Sequence, residues 1–177
     1  MDARVHQLQG KTKGVKPTDL AALLQECYRE RLAMFDRHKA VATHVTDYDV
    51  NNAYQYIVNR EETHLQWLSD AIAELGASLP DGGATAAIAK ERSMQAGRTL
   101  AAEDARAGQA FLDKWRPRVD SLSHARNRTM LRLMLGEVQE QTRTFEQASA
   151  GVDDLLGRKD VGSGKRGEVG AARWIGD

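Results

Sequence analysis

Apolar side chains recur every three or four positions over most of this chain, which is the spacing of amphipathic α-helices. Proline, glycine and clusters of small polar residues interrupt that spacing. The pattern predicts four helices, at about 19–44, 47–75 and 85–115 and from Ser121 or Ser123 up to Gly151. Helices of roughly 25–30 residues are each about 40 Å long, which suits an all-α, up-down four-helix bundle.

Several predicted helix ends carry residues that start or stop helices. Thr18 or Asp19 can cap helix one by accepting hydrogen bonds from its first turn. Thr46 followed by Asp49 is a variant of the capping box, with Asp in place of the usual Glu or Gln. Pro117 is expected to end helix three, because proline lacks the amide hydrogen that a helix interior needs.

The segments outside the helices differ in composition. Residues 1–17 are basic, at about +3, and lack periodicity, so they are expected to form a mobile arm before the helical domain at 18–150. Residues 77–85, ASLPDGGAT, have turn chemistry that allows one longer crossover. Residues 151–177 contain seven glycines and are expected to be a non-helical tail, whose Trp174–Ile175 pair could dock on the bundle, a second subunit or another protein.

Composition narrows the function classes. The single cysteine, Cys27, excludes an internal disulfide framework and any cysteine-rich metal site. The chain has no run of 18 apolar residues and no signal-like stretch, so a cytoplasmic location without membrane association is expected. Lys+Arg and Asp+Glu are equal at 25 each, which does not favour nucleic-acid binding. Long amphipathic helices with spare apolar residues favour a homo-oligomer, with a dimer expected first.

Helix two carries a carboxylate and an imidazole on its apolar face. Glu61 and His64 are three positions apart, so both side chains leave the same side of the helix one turn apart. They continue the apolar stripe between Ile57 and Leu68. Since a buried charge must be paired or bound to metal, the two residues are metal ligands or a buried hydrogen-bonded pair, unless this face lies on the surface of the protein.

The other three helices also carry an acid near the middle of the apolar stripe. These acids are Glu30 on helix one with Glu26 as its alternative, Asp104 on helix three with Glu103 as its alternative, and Glu137 with Glu140 one turn later on helix four. Ion pairs with interior-facing arginines are the alternative to metal binding, and those arginines are Arg31, Arg98 and Arg132. His38 and His44 lie on the inner side of helix one and are expected to be packed or terminal rather than to bind metal.

The spacing of these acids repeats. Glu61 follows Glu30 by 31 residues, and Glu137 follows Asp104 by 33. A carboxylate helix followed by a second ligand-bearing helix, occurring twice, is how helix bundles build a two-metal site. Over about 19–150 the chain resembles the ferritin-like superfamily of diiron carboxylate proteins, which includes bacterioferritins and rubrerythrins. The stretch DYDVNNAYQYIVNREETHLQWLSDAIAELG is especially similar to bacterial ferritin-like proteins of no settled function.

The resemblance implies a dinuclear metal site and assigns its ligands. They are Glu61 and Glu137 as bridges, Glu30 and Asp104 as terminal ligands, and His64 on one of the metals. Helix four departs from the family pattern, since Glu140 stands where a histidine is usual. Glu140 could serve as an oxygen ligand in its place, which would favour iron or manganese. Asp104 is one methylene shorter than the usual glutamate.

Two functions of different classes follow. The resemblance implies an oxidoreductase of the ferroxidase or peroxidase type, with two irons per chain, or manganese, that oxidises Fe(II) or reduces oxygen or peroxide. The alternative is a degenerate metal-free bundle that acts as an interaction or structural module through its arm and tail. The missing histidine on helix four favours this alternative.

Overall fold

A computed structural model describes residues 17–82, 88, 92–152 and 154–157. These residues form four α-helices and no β-strand, which confirms the predicted all-α four-helix bundle. The helices are α1 (Pro17–Ala42), α2 (Tyr48–Glu74), α3 (Met94–Asp120) and α4 (Ala125–Ser149). The predicted arm, apart from Pro17, and the tail beyond residue 157 lie outside the described residues. None of the helices in the described part is long and apolar enough to cross a membrane.

The helix starts use other capping residues than the sequence analysis expects. Asp47 caps α2, with its side chain accepting a hydrogen bond from Val50 N at 3.0 Å, so the capping box starting at Thr46 is wrong. His124 caps α4 through its ring Nδ1, which accepts from Asn127 N at 3.3 Å. The predicted starts at Ser121 or Ser123 are therefore also wrong.

Helix α3 starts later and ends later than predicted. It begins at Met94 rather than near residue 85, and it continues through Pro117 to Asp120. A proline inside a helix lacks an amide donor and crowds the carbonyl four residues earlier, but the flanking Trp115 and Val119 are 0% and 1% exposed. Packing of this last turn in the core therefore outweighs the missing hydrogen bond.

The side-chain contacts fix the helix directions. Glu26, near the start of α1, contacts Arg118, near the end of α3, whereas Arg37 contacts Asp104 in the first half of α3. Helices α1 and α3 are therefore antiparallel, and contacts of the same kind show that α1 and α2 are antiparallel as well. It follows that α2 and α3 run in the same direction.

The described residues of the connection between α2 and α3 lie at successive levels of the bundle, in the order that a link between two parallel helices requires. Ser78 O accepts a hydrogen bond from Gln25 Nε2 at 2.7 Å, near the start of α1. Gly82 lies beside Leu32, in the middle of α1. Ile88 packs against the hydrophobic cluster at the other end of the bundle.

The core has an apolar cluster toward each end of the bundle and a buried polar layer between them. The charged or titratable members of that layer are Arg31, His38, Glu61, His64 and Asp104, all at most 1% exposed. Helix α1 packs mainly on α2, and α3 mainly on α4, whereas α2 and α4 touch over a smaller area. The polar layer therefore contains the candidate functional residues.

Candidate functional site

Arg31 lies at the middle of the bundle with its guanidinium fully buried. Its Nη2 is 3.0 Å from Glu61 Oε1 and 3.4 Å from His64 Nδ1. A guanidinium can only donate, so His64 Nδ1 must accept and the ring proton is on Nε2. That nitrogen lies 3.1 Å from Glu137 Oε2 and donates to it. Burial, and then the charge of Arg31, lower the pKa of His64 to about 4, so this imidazole is neutral near pH 7.

Glu61 binds a second partner from α1. Its Oε2 lies 2.9 Å from His38 Nδ1. Burial alone would raise the pKa of Glu61, but His38 and Arg31 outweigh burial and lower it. Glu61 is therefore an ionised carboxylate in a fully buried position, and its two oxygens accept from two different residues of α1.

Glu137 closes the cluster on the side of α4. Arg60 binds it in a bidentate manner, with its Nε 2.9 Å from Oε2 and its Nη2 on Oε1. Burial raises the pKa of Glu137. Arg60 and His64 lower this pKa by more than burial raises it, so the net shift is downward. We call the connected group the central cluster, and its members are Arg31, His38, Arg60, Glu61, His64 and Glu137.

Asp104 is buried as predicted but takes other partners. Its Oδ2 accepts from Tyr54 Oη at 2.6 Å, and its Oδ1 accepts from Arg37. Burial, with the nearby carboxylate, raises the pKa of Tyr54 well above its usual value, so the phenol stays protonated and donates. Glu103 accepts from the same Arg37 at 2.9 Å. The structure thus places this pair of acids in a separate contact between α1 and α3.

Glu30 and Glu26 lie near the bundle surface. Glu30 accepts from Trp115 Nε1 at 2.9 Å and pairs with Lys114. Glu26 accepts from both terminal nitrogens of Arg118, at 2.8 and 2.6 Å, and Arg118 with Lys114 lowers the pKa of Glu26 to about 2. Both acids therefore join α1 to α3, and neither reaches the central cluster.

Glu140 and its neighbour Gln141 on α4 differ in their burial. The Glu140 side chain is 69% exposed and pairs with Arg143 at 2.7 Å. Gln141 is only 6% exposed, so the residue that turns inward one turn after Glu137 is an amide rather than a second carboxylate. Among the predicted ligands the structure brings together Glu61, His64 and Glu137, and it places Glu30, Asp104 and Glu140 elsewhere.

The arginines weighed as partners of these acids behave differently from one another. Arg31 is buried but pairs with Glu61 on α2. Arg132 is exposed and binds Asp120. Arg98 lies beside Gly151 at the end of α4. Ion pairing itself is widespread, but the cations that pair with Glu30, Asp104 and Glu137 are Lys114, Arg37 and Arg60.

A two-metal centre can be tested against this arrangement. A metal bound by Glu61 Oε1 and His64 Nδ1 would lie about 2 Å from each atom. Arg31 Nη2 already lies 3.0 Å from the first atom and 3.4 Å from the second, and its fixed positive charge opposes a further cation. Within the described ranges, no group of three or more His, Cys, Asp or Glu side chains has the geometry to hold a metal ion. As arranged, these residues do not fit a dinuclear centre.

A groove between α2 and α4 opens onto the central cluster. It has a volume of about 290 Å³, and its walls include Tyr56, Arg60, Glu137, Gln141 and Thr144. Glu137 faces this groove with its Arg60-bound carboxylate and contacts the buried His64 behind it. The groove is therefore a route by which a small molecule can approach the cluster from solvent.

Comparison with known proteins finds no relative of this chain. The chain matches no protein-family model, no curated protein and no solved structure. The central cluster and the adjoining groove are therefore the candidate functional features of this chain.

Proposed function

We propose that this chain is a ferritin-like four-helix bundle in which the Arg31 guanidinium takes the position of a metal ion. In this proposal the protein acts as a binding module rather than as an iron oxidoreductase. The observation that carries it is the position of Arg31 Nη2, 3.0 Å from Glu61 and 3.4 Å from His64. The antiparallel contacts of α1 with both α2 and α3, which make α2 and α3 parallel, support the ferritin-like part of the proposal.

The charge balance of the cluster supports the same function. Arg31 and Arg60 carry two positive charges, and Glu61 and Glu137 carry two negative ones, while His64 is neutral. A divalent ion added among these groups would have no uncompensated carboxylate to bind. Burying an unbalanced charge costs several kcal/mol, typically about 3–5 when one partner of an ion pair is missing. The charge balance of the cluster therefore disfavours binding of a metal ion.

The competing proposal is a dinuclear iron or manganese centre that oxidises Fe(II) or reduces oxygen or peroxide. The convergence of Glu61, His64 and Glu137 on one region favours it. The location of Arg31 among these residues opposes it, because the guanidinium would have to leave. A cytoplasmic homodimer and docking of the tail on a partner stay predictions of the sequence under either proposal.

The deciding measurement is the metal content per chain. The protein is loaded with Fe(II) under anaerobic conditions, desalted and analysed for elements, and the procedure is repeated with Mn(II). We expect well below one metal ion per chain for the wild-type protein. A content near two irons per chain would overturn the proposal and support the oxidoreductase.

A variant tests whether Arg31 itself excludes the ion. Arg31→Met keeps an unbranched side chain but shortens it and removes its charge, so Glu61 and His64 become available to Co(II), whose absorption spectrum reports ligation. Arg29→Met makes the same substitution on the exposed face of α1 and serves as the control. We expect Co(II) binding in the first variant and none in the second.

A further inference from the structure

The exposed side of α2 carries a stripe without any charged side chain over about five helical turns. Its members follow one another at intervals of three or four residues, so their side chains leave the same side of the helix. All of them are exposed or half-buried. We call this stripe the neutral face, and its members are Tyr48, Asn52, Gln55, Asn59, Thr63 and Gln66. Glu62 flanks it, whereas Arg60 and Glu61 turn toward the bundle and bind Glu137 and Arg31.

The exposed sides of the other three helices carry charges instead. Their exposed charged residues include Arg29 and Lys39 on α1, Arg106, Asp113 and Arg116 on α3, and Arg126, Arg132, Glu140 and Arg143 on α4. A helix side that faces water is normally charged or polar, whereas the centre of a protein–protein interface is depleted of charged residues and enriched in tyrosine. The neutral face therefore has the composition of an interface rather than that of a solvated surface.

Two tyrosines add apolar area to this side of α2. Tyr48 is 75% exposed, and Tyr56, which lies beside the neutral face, is 55% exposed. An aromatic side chain buries about 150–250 Å² when it is covered, and few other residues contribute as much to an interface. Tyr56 also lines the groove between α2 and α4, so a molecule that covers the neutral face lies at the edge of that groove.

The occupant that this face fits is a second copy of the same chain. In a two-fold dimer each surface meets itself, with residue i against residue j and j against i. A charged face would then place like charges opposite one another, whereas amides and phenols both donate and accept hydrogen bonds and can pair with their own kind. With α2 antiparallel to its copy and the two-fold axis level with Ile57, Tyr48 lies level with Gln66 of the second copy. Gln55 then lies level with Asn59, so polar groups meet polar groups along the stripe.

We propose that two copies of this chain associate through the neutral face, with their α2 helices antiparallel about a two-fold axis. The stripe is about 27 Å long and one helix wide, which is smaller than the roughly 800 Å² that each partner of a standard interface buries. A reversible dimer with a dissociation constant in the micromolar range is therefore expected. The proposal depends on the exposed side of α2 and not on Arg31. Metal loading of the central cluster could therefore overturn the earlier proposal and leave this one intact.

Sedimentation velocity of the full chain, over a concentration range of roughly 5–500 µM, measures this association. We expect the mass of the wild-type protein to rise with concentration from 19.6 kDa toward twice that value. A monomer over the whole range would overturn the proposal and leave the neutral face to a different partner.

Two charge variants test whether the neutral face is the surface that associates. Gln55→Glu/Asn59→Glu places carboxylates opposite carboxylates across the axis, and Gln55→Lys/Asn59→Lys places ammonium groups opposite ammonium groups. Each variant alone should associate at least about tenfold more weakly than wild type. An equimolar mixture of the two should recover association because opposite charges then meet, a result that unfolded variants cannot give.

A matched control separates this surface from a general effect of added charge. Gln95→Glu/Thr99→Glu makes the same kind of change at an exposed pair of positions four residues apart on α3 and should associate like wild type. Association of either α2 variant at wild-type strength, or a mixture that stays monomeric, would overturn the proposal.

Discussion

Replacing Arg31 by methionine leaves Glu61 buried with one of its two partners gone. The methionine fills the space of the arginine stem but not that of the guanidinium, so the change in free energy comes mainly from charge and hydrogen bonding. Both side chains are 0% exposed, so water cannot replace the lost contact without opening the core. Removing one partner of a buried ion pair typically costs about 3–5 kcal/mol, a large part of the roughly 5–15 kcal/mol that stabilises a domain.

A second substitution separates the ion pair from other effects of the mutation. Glu61→Met removes the carboxylate, and the double variant Arg31→Met/Glu61→Met removes both charges together. Because no uncompensated charge is then left, the double variant should be more stable than the sum of the two single costs predicts, by at least about 2 kcal/mol. Arg29→Met on the exposed face is the matched control and should change stability by no more than about 0.5 kcal/mol.

Urea unfolding at pH 7, followed by far-UV circular dichroism, measures these differences. With a urea dependence of about 2 kcal/mol per molar, a loss of about 3–5 kcal/mol lowers the midpoint by roughly 1.5–2.5 M. A cost below about 1 kcal/mol for Arg31→Met would show that the guanidinium is not held as the structure describes. Strict additivity in the double variant would refute the coupling between Arg31 and Glu61.

Two further predictions concern pH and packing. His64 is buried with a pKa of about 4 against an ordinary 6.5, so the unfolded chain binds the proton first and stability falls as pH falls from about 6.5 toward 4. Between pH 7 and 5, urea unfolding should show wild type losing about 2 kcal/mol more than His64→Gln, and equal losses would contradict the neutral imidazole. A Cβ on Gly108 would lie 2.3 Å from Thr142 Oγ1, so Gly108→Ala should cost about 1–3 kcal/mol. Gly136→Ala meets nothing within 4 Å and should stabilise by roughly 0.5–1 kcal/mol; a reversed order of thermal midpoints would refute the packing at α3–α4.

The inner face of α2 could be predicted from the sequence because its register is unambiguous. Glu61 and His64 continue the spacing of apolar residues on both sides, and both are fully buried. Asp104 follows the same rule on α3, and it is buried while the adjacent Glu103 is not. These positions are set by helix geometry alone, which requires no knowledge of the partner helices.

The same geometry identifies Arg31 as interior-facing, and the structure confirms its burial, although its partner is Glu61 rather than Glu30. Its position continues the three-and-four spacing from Leu24 through Cys27 to His38, whereas Glu30 is one step off that line. A long aliphatic stem lets arginine occupy a core position. A charged residue that keeps the spacing of the apolar stripe can therefore be part of the buried face of the helix. What the sequence could not show is which acid Arg31 would bind, since that depends on how α1 and α2 are packed.

Arg31 and Gln141 are both polar residues in the inner stripe of a helix, but they call for different explanations. The two terminal nitrogens of Arg31 reach Glu61, His64 and the sulfur of Met34, whereas its buried Nε has no hydrogen-bond partner within the described residues. The amide of Gln141 finds no such partner in the described chain, although it lies in the same layer of the bundle. A buried arginine that pairs with a carboxylate on another helix can fix the register of the two helices, even where the pair adds little net stability. The unpaired amide of Gln141 lowers the stability of the protein, because the lost hydration of its two polar atoms is not offset by a hydrogen bond.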